Sequence, residues 1–267
     1  MTAMDTPAST TLARHRSHAK VMGTVASIHV YDDAPGAEVD EAISAVFAEL
    51  ERLEDIFSTF RTGSQISRVN RGELELFDCS PEVIEVMDAC TWLEHASDGA
   101  FAARRPEPPH ALDPAGFVKG WAAERAARAL TEARLTRWYV SVGGDICTSG
   151  TPPGSDHWQF AVADPRKASR AIASVDVPAG FAIATSGIGE RGHHLWHGRS
   201  GTAAAHYASL TVIGPTLAWA DAFATAAFAR GADGLEWLER FDDYVGFAID
   251  HGGTIVRRAS MPLADTA

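Results

Sequence analysis

The sequence predicts an α+β fold in one domain, with a mixed or antiparallel sheet flanked by helices. Three observations carry that expectation. Strand-like and helix-like segments are mixed without the strict alternation of a doubly wound parallel sheet. The helical segments show three- and four-residue apolar spacing, and the strands are short and bounded by glycine-rich turns. No internal repeat or linker divides 20–260, a length that can bury a sizeable core.

The polar stretch before residue 20, "MTAMDTPASTTLARHRSHA", predicts a disordered lead-in over 1–19. "KVMGTVASIHVYD" (20–32) alternates around Ile28 and Val30 and reads as a strand. From 37 to 57, Val39, Ile43, Val46, Leu50, Leu53 and Phe57 repeat at helical spacing. "STFRTGSQISRVNRGE" (58–73) is polar and turn-rich, a candidate functional loop. Helix 80–99 has Ser80 for its N-cap, Pro81 for its first residue and Gly99 at its end. "ARRPEPPH" (103–110) is a proline-broken link, after which "DPAGFVKGWAAERAARAL" (113–130) opens as a loop and becomes a helix. "RWYVSVGGD" (137–145), "HWQFAVAD" (157–164) and "ASVDVPAGFAIATSG" (173–187) read as strands. Loop 189–201 is dense in His, Arg and Gly; strand 208–214 then runs into an apolar helix, 217–229, and 243–259 closes the chain as a hairpin.

Composition excludes several functions. Of 267 residues, 46% are hydrophobic and 22% charged, an ordinary soluble balance. The net charge of −12 and the lack of a Lys/Arg run argue against nucleic acid and against an anionic membrane surface. No apolar run is long enough to span a bilayer, and no secretory signal opens the chain. Cys79, Cys90 and Cys147 form no C-x-x-C pair and read as reduced core thiols in a cytoplasmic protein.

Four segments are candidates for chemistry. In "LAWADAFATAAFA" (217–229), Asp221 and Thr225 lie one turn apart on one face. Their oxygens suit a hard cation such as Mg²⁺; alternatively Asp221 faces the helix dipole in the first turn and Thr225 bonds a carbonyl one turn back. "DPAGFVKG" (113–120) places a carboxylate, two glycines and Lys119 at a helix start, as a phosphate site or as a tight turn. "VGGD" (142–145) and "ATSG" (184–187) allow close backbone approach to a ligand, or merely a bulge. Loop 189–201 offers His193, His194 and His197 as bases, in a spacing that does not match a zinc site, or as chance histidines of a polar surface loop.

The order of these motifs is informative. "MGT", "FSTFRTGSQISRVN", "DPAGFVKGWAAERAA", "VGGDI", "ATSG" with the following His-rich loop, and "SLTVIGPTLAWADAFATAAF" resemble the ApbE family of flavin transferases, also called FAD:protein FMN transferases. The resemblance spans about 20–250 and looks most like the shorter, cytoplasmic branch. It implies a single α+β domain with an FAD cleft. It also implies Mg²⁺-dependent transfer of FMN from FAD to a Ser or Thr hydroxyl of a target protein, with release of AMP; some members hydrolyse FAD to FMN and AMP instead. Carried over residue by residue, it implies Asp221, Thr225 and the Gly116 carbonyl as Mg²⁺ ligands. Met22, Asp113, Lys119, Ser186 and Trp196 fall at FAD-contacting positions, and His194 at that of the base. The chain departs from the family pattern at three places. "HLWHGRSG" stands for H-x-(I/V)-D-P-x-T-G, so His197 and Gly198 replace Asp and Pro. Ala102 replaces the Asp of G-A-F-D, and Gln65 the Glu of S-E-I-S.

Overall fold

The computed structural model describes residues 13–188 and 196–257. The first surprise lies in the expected lead-in. His15–Val21 is a strand, β1, paired antiparallel with β2, Thr24–Val30. Its exposed residues alternate with half-buried ones, as on an edge strand, so polarity there does not mean disorder. The expected single strand over 20–32 is therefore a hairpin, turned by Met22 and Gly23 at φ 55° and 70°. Two consecutive left-handed residues make the primed turn that matches strand twist.

α1, Gly36–Phe57, buries every apolar position that the spacing picked out. The expected loop 58–73 contains a short helix, α2, Gln65–Asn70, whose Ser64 N-cap accepts a 3.0 Å bond from the Ser67 amide. α3 is Pro81–Ala96 and α4 is Ala115–Glu132. β3 (Trp138–Val142) and β4 (Asp145–Ser149) form a second tight hairpin through Gly143 and Gly144, at φ 64° and 96°. β5 is His157–Asp164. The expected strand 173–187 divides between β6, Lys167–Pro178, and β7, Ala182–Gly187. β8 (Ser209–Gly214), α5 (Leu217–Arg230), α6 (Gly234–Leu238), β9 (Val245–Ile249) and β10 (Ile255–Arg257) follow.

Eight strands form one sheet in the order β1-β2-β3-β4-β7-β8-β9-β10, every pairing antiparallel. β5 and β6 form a separate two-stranded sheet. The large sheet is covered on both faces. Ile28, Val140, Val142, Ala184, Leu210 and Val212 point into the helical side, against α1, α4 and α5. Their neighbours Tyr139, Ile183, Ile213 and Phe247 point to the other side and pack on Trp158, Phe160, Val175 and Val177 of the β5–β6 hairpin. Burial on both faces is why these strands read as nearly continuous apolar runs. Cys90 and Cys147 are buried; Cys79 is half-buried and packs against the main core, and the three cysteines form no disulfide.

Candidate functional site

The site is built where α4 crosses α5. A Cβ at Gly120 would lie 2.6 Å from the Leu217 carbonyl oxygen and 2.8 Å from Asp221 Cβ, so only glycine permits this approach. The approach brings the Gly120 amide to Asp221 Oδ2 at 2.9 Å. In a regular helix that amide serves the carbonyl four residues back, which is that of Gly116. Gly116 is itself a contact point, since a Cβ there would lie 3.2 Å from Thr225 Cγ2 and 3.0 Å from the Phe101 ring. The two glycines of "DPAGFVKG" are thus the stripe of α4 that faces α5.

Asp221 is buried and beyond the first turn of α5, so it answers the neighbouring helix's amide rather than its own helix dipole. Burial pushes its carboxyl well above the usual carboxylate range, to about 7, against the opposing pull of Lys119 and with further help from the charge of Asp145. Lys119 Nζ lies 3.5 Å from Asp221 Oδ1 and donates a hydrogen bond to Asp145 Oδ2. Asp145 Oδ1 accepts from the Thr185 amide at 2.9 Å. The next residue, Ser186, shares a 3.0 Å hydroxyl–hydroxyl bond with Thr225, in place of a bond one turn back along α5. A closed path of polar contacts therefore joins α4, β4, β7 and α5.

This set fits a hard divalent cation. Its donors are oxygens, and two carboxylates face a single ammonium. Among the described residues, no group of three or more His, Cys, Asp or Glu is arranged to hold a metal.

Gly116, Lys119, Ser186, Asp221 and Thr225 are thus brought together as the sequence predicts. The other candidates stand around them. Asp113 precedes α4 and accepts from Arg105 Nε and Nη2 at 3.0 and 2.7 Å. Met22 sits at the β1–β2 turn, half-buried against the main core. The neighbouring β3–β4 turn packs on that hairpin, with the Gly143 amide donating to the Val25 carbonyl at 3.0 Å. Trp196 is half-buried and forms an isolated bridge with Ala203. His194 lies outside the described residues.

Sequence reasoning missed three residues. Asp145 stood inside "VGGD", where the glycines drew the attention; a carboxylate that opens a buried strand was the available signal. Phe60 is 87% exposed and borders a cavity of about 480 Å³, lined also by Asn70, Arg71, Arg105, Pro108 and Leu112. Arg105 lay in the proline-broken link, where nothing marked it out.

Two of the three departures from the family pattern, at 198 and at 102, meet in space. Gly198 and Arg199 donate to the carbonyls of Ala100 and Gly99 at 2.7 and 2.8 Å, so the segment after Trp196 docks on 99–102. A Cβ at Gly198 would lie 2.6 Å from that of Ala102.

Comparison with known proteins agrees with the fold and the motif order. The model of the ApbE family matches residues 22–104 and 102–248. The Salmonella typhimurium protein "FAD:protein FMN transferase" is 26% identical over 64% of this chain and 52% of its own length. Its Escherichia coli K12 counterpart is 27% identical over 65% and 53%. The chain thus spans about half the length of these relatives. Among solved structures, the ApbE protein of Thermotoga maritima superposes with a TM-score of 0.78 at 22% identity, covering 92% of this chain and 97% of its own. The flavin transferase ApbE of Vibrio cholerae gives 0.76 at 22% identity, covering 92% and 97%. The fold is the single α+β domain of these structures.

Proposed function

The chain belongs to the ApbE family, and from that premise we propose that it transfers FMN from FAD to a Ser or Thr hydroxyl of a target protein, with Mg²⁺ as its metal and AMP as the second product. The observation that carries this reading is the oxygen-rich cluster of Asp221, Thr225, Ser186 and Asp145 around Lys119. Asp221, Thr225 and the Gly116 carbonyl would hold Mg²⁺, which when bound neutralises charge on a pyrophosphate. Phosphoryl transfer asks mainly for such neutralisation and for in-line positioning.

The remaining roles belong to the chain's own residues. Lys119 supplies a fixed positive charge within 3.5 Å of Asp221, where an anionic cofactor meets a protein of net charge −12. Met22, Asp113, Ser186 and Trp196 contact FAD, and exposed Phe60 gives its flat ring a stacking face. His194 takes the proton of the acceptor hydroxyl as that oxygen attacks the FMN phosphorus and AMP leaves. A cytoplasmic setting belongs to the same reading, supported by three free thiols. No helix among the described residues is long and apolar enough to cross a membrane.

The test is incubation of the purified chain with FAD, Mg²⁺ and a candidate target. AMP together with flavin bound covalently to the target is the expected result. AMP with free FMN would replace the reading by FAD hydrolysis, and retained FAD without AMP by a binding role. Absence of both retained flavin and AMP would overturn it altogether.

A further inference from the structure

Resting on the cation reading above, we propose that Asp145 is a positioning residue that holds Lys119 off Asp221 and so keeps the Asp221 carboxylate open to a divalent cation. Asp221 has two oxygens. Oδ2 is committed to the Gly120 amide at 2.9 Å. Oδ1 faces Lys119 Nζ at 3.5 Å, outside ordinary hydrogen-bond distance. The ammonium lies closer to Asp145, to which it donates a hydrogen bond, and its pairing with Asp221 is the longer of the two. Asp145 is well suited to hold it. It is 1% exposed, it opens β4 directly after the Gly143–Gly144 turn, and its other oxygen is fixed by the Thr185 amide. Backbone of two sheet strands therefore sets where Lys119 rests. A lysine on a flexible four-carbon stem would otherwise close the short gap to Asp221. An ammonium seated on Oδ1 would take the oxygen that a cation needs.

The proposal separates from a plain charge effect in a double-mutant cycle. Mg²⁺ alone, as the chloride, is added to the full chain and its affinity read by isothermal calorimetry. The four proteins are the wild type, Asp145→Asn, Lys119→Met and the double variant. Asn keeps an acceptor for the Thr185 amide but loses the charge that retains Lys119. Asp145→Asn is expected to weaken Mg²⁺ about tenfold or more in the wild-type background, and by less than about threefold in the Lys119→Met background. Equal factors in both backgrounds would show that Asp145 acts by its charge alone, and no weakening that it has no part; either overturns the proposal and leaves the cation reading standing. A wild type that binds no Mg²⁺ removes both. Thermal midpoints of all four report whether the effect is on folding. If Asp145→Asn does not fold, Asp145→Ser, smaller and still an acceptor, runs the same cycle.

Discussion

The backbone amide of Gly120 donates to the side chain of Asp221, 101 residues away in sequence, at 2.9 Å. The two helices can approach this closely only because position 120 has no side chain. The bond fixes a buried carboxylate with a donor that has no rotamers to lose, so the orientation of Asp221 is set by helix packing.

Gly120→Ala tests that packing. In an open helix the exchange stabilises by up to about 1 kcal/mol. Here the new methyl meets a carbonyl oxygen and Asp221 Cβ at 2.6 and 2.8 Å. The expected outcome is a loss of about 2 kcal/mol in urea unfolding, with weaker Mg²⁺ binding. A stabilised variant would show that the helices are not in this contact.

Asp221→Ala is expected to abolish AMP release from FAD while circular dichroism stays that of the native fold. The site loses its metal-facing carboxylate, and the helix keeps a good helix former. Undiminished AMP release would remove Asp221 from the metal site.

The pH dependence of stability carries two opposed contributions. The folded chain keeps a proton on Asp221 up to about 7, whereas the unfolded chain gives it up near 3.8. Without metal, this contribution makes stability fall as pH rises through that window. His29 has the opposite sign. Burial, aided by the charge of Arg16, lowers its pKa from 6.5 to about 4, so its contribution is lost as pH falls between those values. Urea midpoints across the window should therefore fall more steeply on acidification in Asp221→Asn than in wild type, and less steeply in His29→Gln. Saturating Mg²⁺ should flatten the Asp221 contribution.

His194→Ala is expected to slow FMN transfer by about 10² to 10⁴ and to leave calorimetric Mg²⁺ affinity unchanged. Full-speed transfer in this variant would mean that another group takes the proton.

Phe60→Ala is expected to raise KM for FAD by up to about tenfold, the worth of one aromatic stacking contact. Because the ring is 87% exposed, the urea midpoint should not move. A shift in stability with KM unchanged would assign Phe60 to packing.

Much of this was legible in the sequence where one physical demand dominated. α1 announced itself because its core face repeats at helical spacing, and all six of its marked positions are buried. α5 and the glycine turn before Asp145 were equally plain. β1 was not, since an edge strand with one half-covered face has polar composition without being unstructured. α2 hid in a polar segment because its stability comes from the Ser64 cap and from Ile66 and Ser67 rather than from a long apolar stripe. In the site, Asp221, Thr225, Lys119 and Gly116 stood out only through the order of motifs and the family resemblance, since spacing alone left each of them open. Asp145 offered only the weaker signal of a carboxylate opening a buried strand, because its two partners, Lys119 and the Thr185 amide, are distant in sequence.

The seat of Gly198 on the 99–102 segment limits what position 198 can hold. The family's proline at 198 would lack the N–H that now bonds Ala100, and its Cβ would lie 2.6 Å from Ala102 Cβ and 2.8 Å from the Gly99 carbonyl oxygen. An aspartate at 102 would leave these obstacles in place, because one of them is backbone. Gly198 is therefore the residue this seat requires, and an exchange of 196–201 for another sequence must carry 99–102 with it.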